Sequence, residues 1–185
     1  MLSRIGFFIL KTWGWSFEGS LPNQKKYLIA VIPHTTNWDF ILGILTKWAL
    51  KLPVNYIGKH QLFQFPHGFI FRALGGRPVN RTLSNNLVDQ VAEIFKNEEK
   101  FIIALAPEGT RSKVNKIKVG FYHIAKTAAI PIVPCGFDFR IRKVIFRKPF
   151  YPTDDLNKDM NELMDFYLKI EGKFPALGID KNTVW

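Results

Sequence analysis

Apolar residues along this chain fall into short continuous runs divided by polar turns. The run Tyr27-Leu28-Ile29-Ala30-Val31-Ile32, stopped by Pro33, reads as a buried strand. Asn37 stands where it can cap a helix beginning at Trp38, which continues through Phe40-Ile41-Leu42 to about Leu50. That helix is apolar almost all round, so it should be buried or face something apolar, and Pro53 ends it. A second strand comes next, at 54–58. Ser84 is placed to cap a helix carrying Leu87, Val88, Val91, Ile94 and Phe95 at helical spacing, and Phe101 to Leu105 is the next strand. The stretch Phe137 to Lys148 alternates apolar and charged residues, as an amphipathic strand does. Asp154 and Asp155 introduce a helix with Leu156, Met160, Leu163, Met164 and Tyr167 on one side, ended near Gly172. The tail to Trp185 reads as scaffold.

Two apolar segments do not fit this strand-and-helix alternation simply. Ile5 to Leu10, with Arg4 and Lys11 at its ends and Trp13, Trp15 and Phe17 behind it, is about ten residues short of the ~20 that span a bilayer. No small-residue cleavage site comes after it. It reads either as an interfacial helix or as a helix docked on the core. The sequence therefore divides into an N-terminal helix and linker over 1–26 and one domain over 27–185. Between Lys59 and Arg72, five aromatic or aliphatic residues (Phe63, Phe65, Phe69, Ile70, Phe71) interleave with Lys59, His60, His67 and Arg72. Such a segment touches lipid or packs on the core with a solvated edge, and the density of aromatics favours the first.

Composition narrows the class. The 185 residues are 47% hydrophobic, enough for one substantial core, which excludes a disordered chain. Lys and Arg outnumber Asp and Glu by 26 to 15, a net charge of +11 that favours an anionic partner: nucleic acid, an anionic membrane or a phosphorylated substrate. The one cysteine, Cys135, lies in an apolar stretch and reads as a buried thiol, with no zinc-type cysteine cluster.

Candidate chemistry gathers after the strands. His34 stands just past the first buried strand, and Asp39 lies in the first turn of the next helix. A carboxylate on one imidazole nitrogen fixes the tautomer and stabilises the cation that forms, so the pair suits general-base work. His34 is otherwise a satisfied loop residue. Gly75-Gly76-Arg77-Pro78-Val79-Asn80-Arg81 permits a tight turn and brings two guanidinium groups to one place, either for a phosphate or as a basic surface turn. Ala106-Pro107-Glu108-Gly109-Thr110-Arg111-Ser112 again comes directly after a strand. A loop of that make-up can wrap a phosphate, with Arg111 neutralising its charge and Glu108 holding a substrate hydroxyl or the arginine. Lys113, Lys116 and Lys118 extend the positive field. Since both loops leave strand ends, His34 and Glu108 can converge on one crevice.

His34-x4-Asp39, Gly76-x4-Arg81, Pro107 to Ser112 and Ile130-Pro131-Ile132-Val133-Pro134, in that order, resemble the four motif blocks of the glycerophospholipid acyltransferase family, whose best-known members are lysophosphatidic acid acyltransferases. The resemblance covers roughly 27–136. It implies an α/β, single-domain, glycerol-3-phosphate acyltransferase-like fold with a mixed central sheet flanked by helices. It also implies transfer of an acyl group from acyl-CoA or acyl carrier protein to a lysophospholipid hydroxyl, with 1-acylglycerol-3-phosphate as acceptor. His34 would be the general base and Asp39 its orienter. Arg81, Glu108, Gly109, Thr110 and Arg111 would take the acceptor's glycerophosphate, and Pro131 and Pro134 point more loosely at the donor. No metal or prosthetic cofactor is implied, and the work would be done peripherally at the cytoplasmic face of an anionic membrane.

Thr36, Arg77-Pro78, Asn80 and Ala106 depart from the family's usual residues, which bears on the acceptor rather than on the catalytic pair. Another lysolipid, such as a lyso-ornithine lipid, is the alternative acceptor. A different class, a non-enzymatic basic protein binding membrane or nucleic acid, would use Arg140, Arg142, Lys143, Arg147 and Lys148. No nucleic-acid motif accompanies those residues.

Overall fold

A computed structural model describes residues 1–79 and 87–185. The described residues form six helices and one seven-stranded mixed sheet, confirming the α/β expectation. In chain order these are α1 (Leu2–Thr12), β1 (Ser16–Glu18), β2 (Lys26–Val31), α2 (Trp38–Ala49), β3 (Val54–Lys59), α3 (Gly68–Ala73), β4 (Gly76–Val79), α4 (Leu87–Asn97), β5 (Phe101–Leu105), α5 (Gly120–Thr127), β6 (Ile132–Asp138), β7 (Lys143–Phe146) and α6 (Leu156–Tyr167). Strand order is β1-β7-β6-β2-β5-β3-β4, with β6, β2, β5, β3 and β4 mutually parallel and β7 antiparallel to β6. The carboxyl ends of the five parallel strands therefore share one edge of the sheet.

The apolar run of β2 is continuous because helices cover both faces of the sheet. Leu28, Ala30 and Ile32 point into a core with Val91 and Phe95 of α4, Phe121 and Ile124 of α5, and Met160 and Leu163 of α6. Tyr27 and Ile29 point the other way, against Leu10 of α1 and Leu42 and Leu45 of α2. Cys135 lies in that second core, where burial pushes its thiol above the ordinary range.

Several sequence expectations are adjusted by tertiary context. The stretch Phe137 to Lys148 is not one strand but the end of β6, a turn and β7. Asp138 Oδ1 accepts the N–H groups of Arg140 (3.0 Å) and Ile141 (3.3 Å), which ends the strand there. The Gly75-Gly76 turn is confined to Gly75, at φ +93°, and Gly76–Val79 is strand β4. The last helix stops at Tyr167, ahead of Gly172. Asn37 occupies the N-cap position of α2 without a side-chain cap bond. The capping expected of Ser84 lies outside the described residues.

The N-terminal helix is docked. It runs antiparallel to α2, Ser3 Oγ donating to Ala49 O (3.2 Å) near one end and Trp13 meeting Trp38 edge-on at 5.9 Å at the other. Gly6 permits this approach, because a Cβ there would lie 2.8 Å from Leu45 O and 3.0 Å from Ala49 N. The outward face keeps Leu2, Ile5, Phe7 and Phe8 exposed. The variant Gly6→Leu should force α1 off α2 and lower stability by ~1–3 kcal/mol. Thermal unfolding and limited proteolysis ahead of residue 13 check this, and an unchanged melt would show that the contact is not tight.

Candidate functional site

The site is built where β2 and β5 end. Their register pairs Ala30 with Leu105, so the loops after them, one starting at Pro33 and the other at Ala106, leave the sheet side by side. His34 N–H donates to Glu108 Oε2 at 2.7 Å. The next two N–H groups, of Thr35 and Thr36, both donate to Asp39 Oδ2, at 2.9 and 3.0 Å. Three successive backbone donors are thus taken by two buried carboxylates, one from the first turn of α2 and one from the neighbouring loop. Asp39 does the work expected of the helix cap, folding the loop back on its own side chain, while Thr36 Oγ1 accepts Trp38 N–H at 3.3 Å.

That same Asp39 oxygen lies 3.0 Å from His34 Nδ1. Asp39 is 4% exposed, so its attraction to the imidazole is little screened, while the His34 side chain reaches the surface at 22%. With Nδ1 occupied by the carboxylate, a neutral His34 has its lone pair on Nε2. An imidazole so held can take a proton from a hydroxyl brought against its exposed edge.

The second loop is shaped by Gly109, at φ +68°, with Gly109 N–H donating to Ala106 O (3.0 Å) and Thr110 Oγ1 accepting Ser112 N–H (3.2 Å). Lys118 Nζ lies 3.2 Å from where a Gly109 Cβ would stand. Gly109, Thr110 and Arg111 are exposed, and Arg111 makes no hydrogen bond or ion pair among the described residues. Its guanidinium is free for an anionic ligand. Glu108 is different: it is 3% exposed and turned inward beneath His34, not outward toward a ligand. Burial pushes its carboxyl up to about 7, against the pull of the His34 N–H and of the His34 and Lys113 charges.

Of the residues singled out in the sequence, His34, Asp39 and Glu108 are in contact and Gly109, Thr110 and Arg111 belong to the same loop. Arg81 lies outside the described residues. Arg77 does not join them, since its fork reaches Glu98 (3.4 Å). Pro131 stands just ahead of β6 and Pro134 within it, Pro134 paired with Ala30 rather than beyond the strand ends. Among the described residues no group of three or more His, Cys, Asp or Glu is placed to hold a metal ion.

The segment after α6, which carried no sequence signal beyond its turn-forming Gly172, Pro175 and Gly178, straps both loops. Phe174 N–H donates to Thr35 Oγ1 (3.3 Å), Lys113 Nζ donates to Gly178 O (2.6 Å) and Asp180 Oδ2 (2.8 Å), and Lys173 Nζ stands 4.8 Å from the centre of the Trp38 ring. Gly172 lies so close that a Cβ would sit 2.9 Å from Thr35 Oγ1 and 3.1 Å from Pro33 Cγ.

Comparison with known proteins places this geometry. A family model described as Acyltransferase matches residues 16–138. A 1-acyl-sn-glycerol-3-phosphate acyltransferase of Haemophilus influenzae is 27% identical over 132 residues, covering 66% of this chain and 53% of its own. One of Escherichia coli is 28% identical over 113 residues, covering 57% and 44%. The chain spans about half the length of these curated relatives. The crystal structure of the 1-acyl-sn-glycerophosphate acyltransferase of Thermotoga maritima superposes with a TM-score of 0.61 over 90% of this chain and 75% of that one, at 17% identity, which shows the fold.

The buried Glu108 and the close-packed Gly172 each have a measurable effect. Glu108 holds a proton in the folded protein that the unfolded chain releases, so stability should fall as pH rises from the ordinary carboxylate range to about 7, by at most about 3 kcal/mol. Glu108→Gln keeps an acceptor for His34 N–H and should flatten that slope in denaturant titrations; equal slopes would remove Glu108 as the cause. Gly172→Val should press on Thr35 and Pro33 and lower kcat at least about tenfold, a ~1 Å displacement of a reacting group sufficing. The substrate KM values should change far less, and wild-type kcat in the variant would show the strap to be passive.

Proposed function

Because this chain belongs to the acyltransferase family, we propose that it moves a fatty acyl group from an acyl thioester, acyl-CoA or acyl carrier protein, to the free hydroxyl of a lysophospholipid, with 1-acylglycerol-3-phosphate as acceptor. The relatives that match it carry the name of that reaction. The observation that carries the reading is the His34–Asp39 pair, locked by backbone donors at the end of β2 and joined through Glu108 to the loop that carries the exposed, unpartnered Arg111.

Those positions support the following chemistry. Arg111, with Arg81 from the preceding motif, takes the acceptor's phosphate. The acceptor hydroxyl faces His34 Nε2, which removes its proton as the oxygen attacks the thioester carbonyl. Asp39 holds the ring by Nδ1 and stabilises the imidazolium. The tetrahedral intermediate collapses with cleavage of the C–S bond, and the thiolate takes the proton back from His34. An acyl thioester is already activated, so no covalent enzyme intermediate is required. Glu108 supports this from below by fixing the His34 backbone.

The acceptor and its product are lipids, and the reading places the protein peripherally at the cytoplasmic face of an anionic membrane, where thioester donors are found. No helix among the described residues is long and apolar enough to cross a membrane. Support comes from the outward face of α1, where Leu2, Ile5, Phe7 and Phe8 lie between Arg4 and Lys11, and from the net charge of +11.

Purified protein given a panel of labelled acyl donors and lysolipid acceptors should release free thiol with 1-acylglycerol-3-phosphate and return phosphatidic acid. His34→Ala should cut turnover by ~10²–10⁴ with the melt unchanged, and Arg111→Ala should chiefly raise KM for the acceptor. Full turnover by His34→Ala would reject the mechanism, and transfer confined to another lysolipid would replace the acceptor.

A further inference from the structure

Charge and exposed apolar surface are unevenly shared along this chain, and in the same sense. Between Asp39 and Asp89 there is no Asp or Glu, and residues 1–88 hold ten Lys and Arg against two carboxylates, Glu18 and the buried Asp39. Of the eighteen large hydrophobic residues exposed among the described residues, thirteen precede residue 71. The outer face of α1 and the start of α2 account for nine of them. The other four, Leu62, Phe65, Phe69 and Ile70, belong to the segment after β3, a 3-10 turn at His60–Phe63 leading to α3.

Their exposure is built in and does not come from a loose loop. Phe63 is buried and anchors the segment: Arg72 Nη1 donates to its carbonyl at 2.8 Å, and the Arg72 guanidinium stands 5.5 Å from its ring. A Cβ on Gly76 would lie 2.6 Å from that ring, and one on Gly68 would meet the Phe63 backbone. Tyr56 Oη donates to Phe71 O, tying α3 to β3. From this fixed base Phe65 stands 95% exposed and Phe69 70% exposed. Two phenylalanines left in water on a rigid support keep apolar surface unburied that a partner can cover.

The segment's place in the fold says where that partner lies. β3 is parallel to β5, and β5 to β2, so the 3-10 turn leading out of β3 stands at the same edge of the sheet as His34 and Glu108. The exposed His67 and Arg72 flank the apolar side chains, and no acid accompanies them. We propose that Leu62, Phe65, Phe69 and Ile70 form a second apolar foot, separate from α1, that enters an anionic bilayer and turns the sheet edge carrying His34 toward the headgroups. This deepens the membrane reading given above and rests on it. The foot sets orientation: α1 alone tethers the protein, whereas both together present the cleft to a lipid still seated in its leaflet.

The test uses the full chain carrying Phe65→Ser and Phe69→Ser together, both side chains being exposed so that the melt should not change. Flotation with phosphatidylcholine vesicles, with and without one third phosphatidylglycerol, reads binding. Acyl transfer is read on vesicle-borne lysophosphatidic acid and on a short-chain, water-soluble acceptor. The double variant should lose about tenfold or more in vesicle partition and a similar factor in transfer to the vesicle-borne acceptor, while transfer to the soluble acceptor holds. Equal flotation of variant and wild type would overturn the foot. Equal flotation with loss of transfer from acyl carrier protein but not from acyl-CoA would give the face to the carrier instead. Wild type that does not float with anionic vesicles would overturn the membrane reading and the foot together, and turnover of the soluble acceptor would still report on the acyltransferase reading separately.

Discussion

Everything proposed for this protein depends on how two carboxylates are accommodated at the end of a sheet that is otherwise apolar. Asp39 and Glu108 are both buried, and a buried carboxylate without partners is strongly disfavoured. The chain supplies those partners from the backbone of one short loop, whose N–H groups at 34, 35 and 36 point to Glu108, Asp39 and Asp39 in turn. The loop cannot move without leaving a buried carboxyl group short of a partner. A histidine fixed in this way has already given up the freedom that would otherwise be lost on reaching a productive geometry, which suits the general-base role proposed for it.

The remaining contacts at the site extend the same constraint. Glu108 arrives only because β5 is the neighbour of β2, and the pairing of those strands depends on the apolar side chains filling both faces of the sheet. The strap from Gly172 to Asp180 presses on the outside of both loops and occupies Lys113, while Arg111 of the Glu108 loop and Lys118 against Gly109 stay exposed.

Function at a membrane surface asks for two things that a soluble enzyme avoids: apolar side chains left outside and a net charge of one sign. Both are concentrated in the first half of this chain. The second half, with α4, α5 and α6, buries its apolar faces in the sheet and carries most of the acidic residues. The division puts most of the exposed apolar surface and most of the net positive charge in the first half of the chain and most of the carboxylates in the second.

Much of this was legible without coordinates. β2, α2, β5 and the start of α6 fall where the apolar runs place them, because a strand covered on both faces and a helix with one buried stripe leave patterns that no neighbour alters. His34, Asp39 and the Glu108 to Arg111 loop were legible as residue types placed after strands. The structure alone decided what touches what. That α1 docks on α2 turned on the room Gly6 leaves beside it. The end of β6 turned on a side chain of Asp138 that binds its own backbone. Glu108, which composition points outward to a ligand, faces inward because strand order sets the His34 N–H above it. Local pattern depends on one residue's near neighbours and is written in sequence, whereas the destination of a loop depends on which distant strands pair, and only the assembled sheet fixes that.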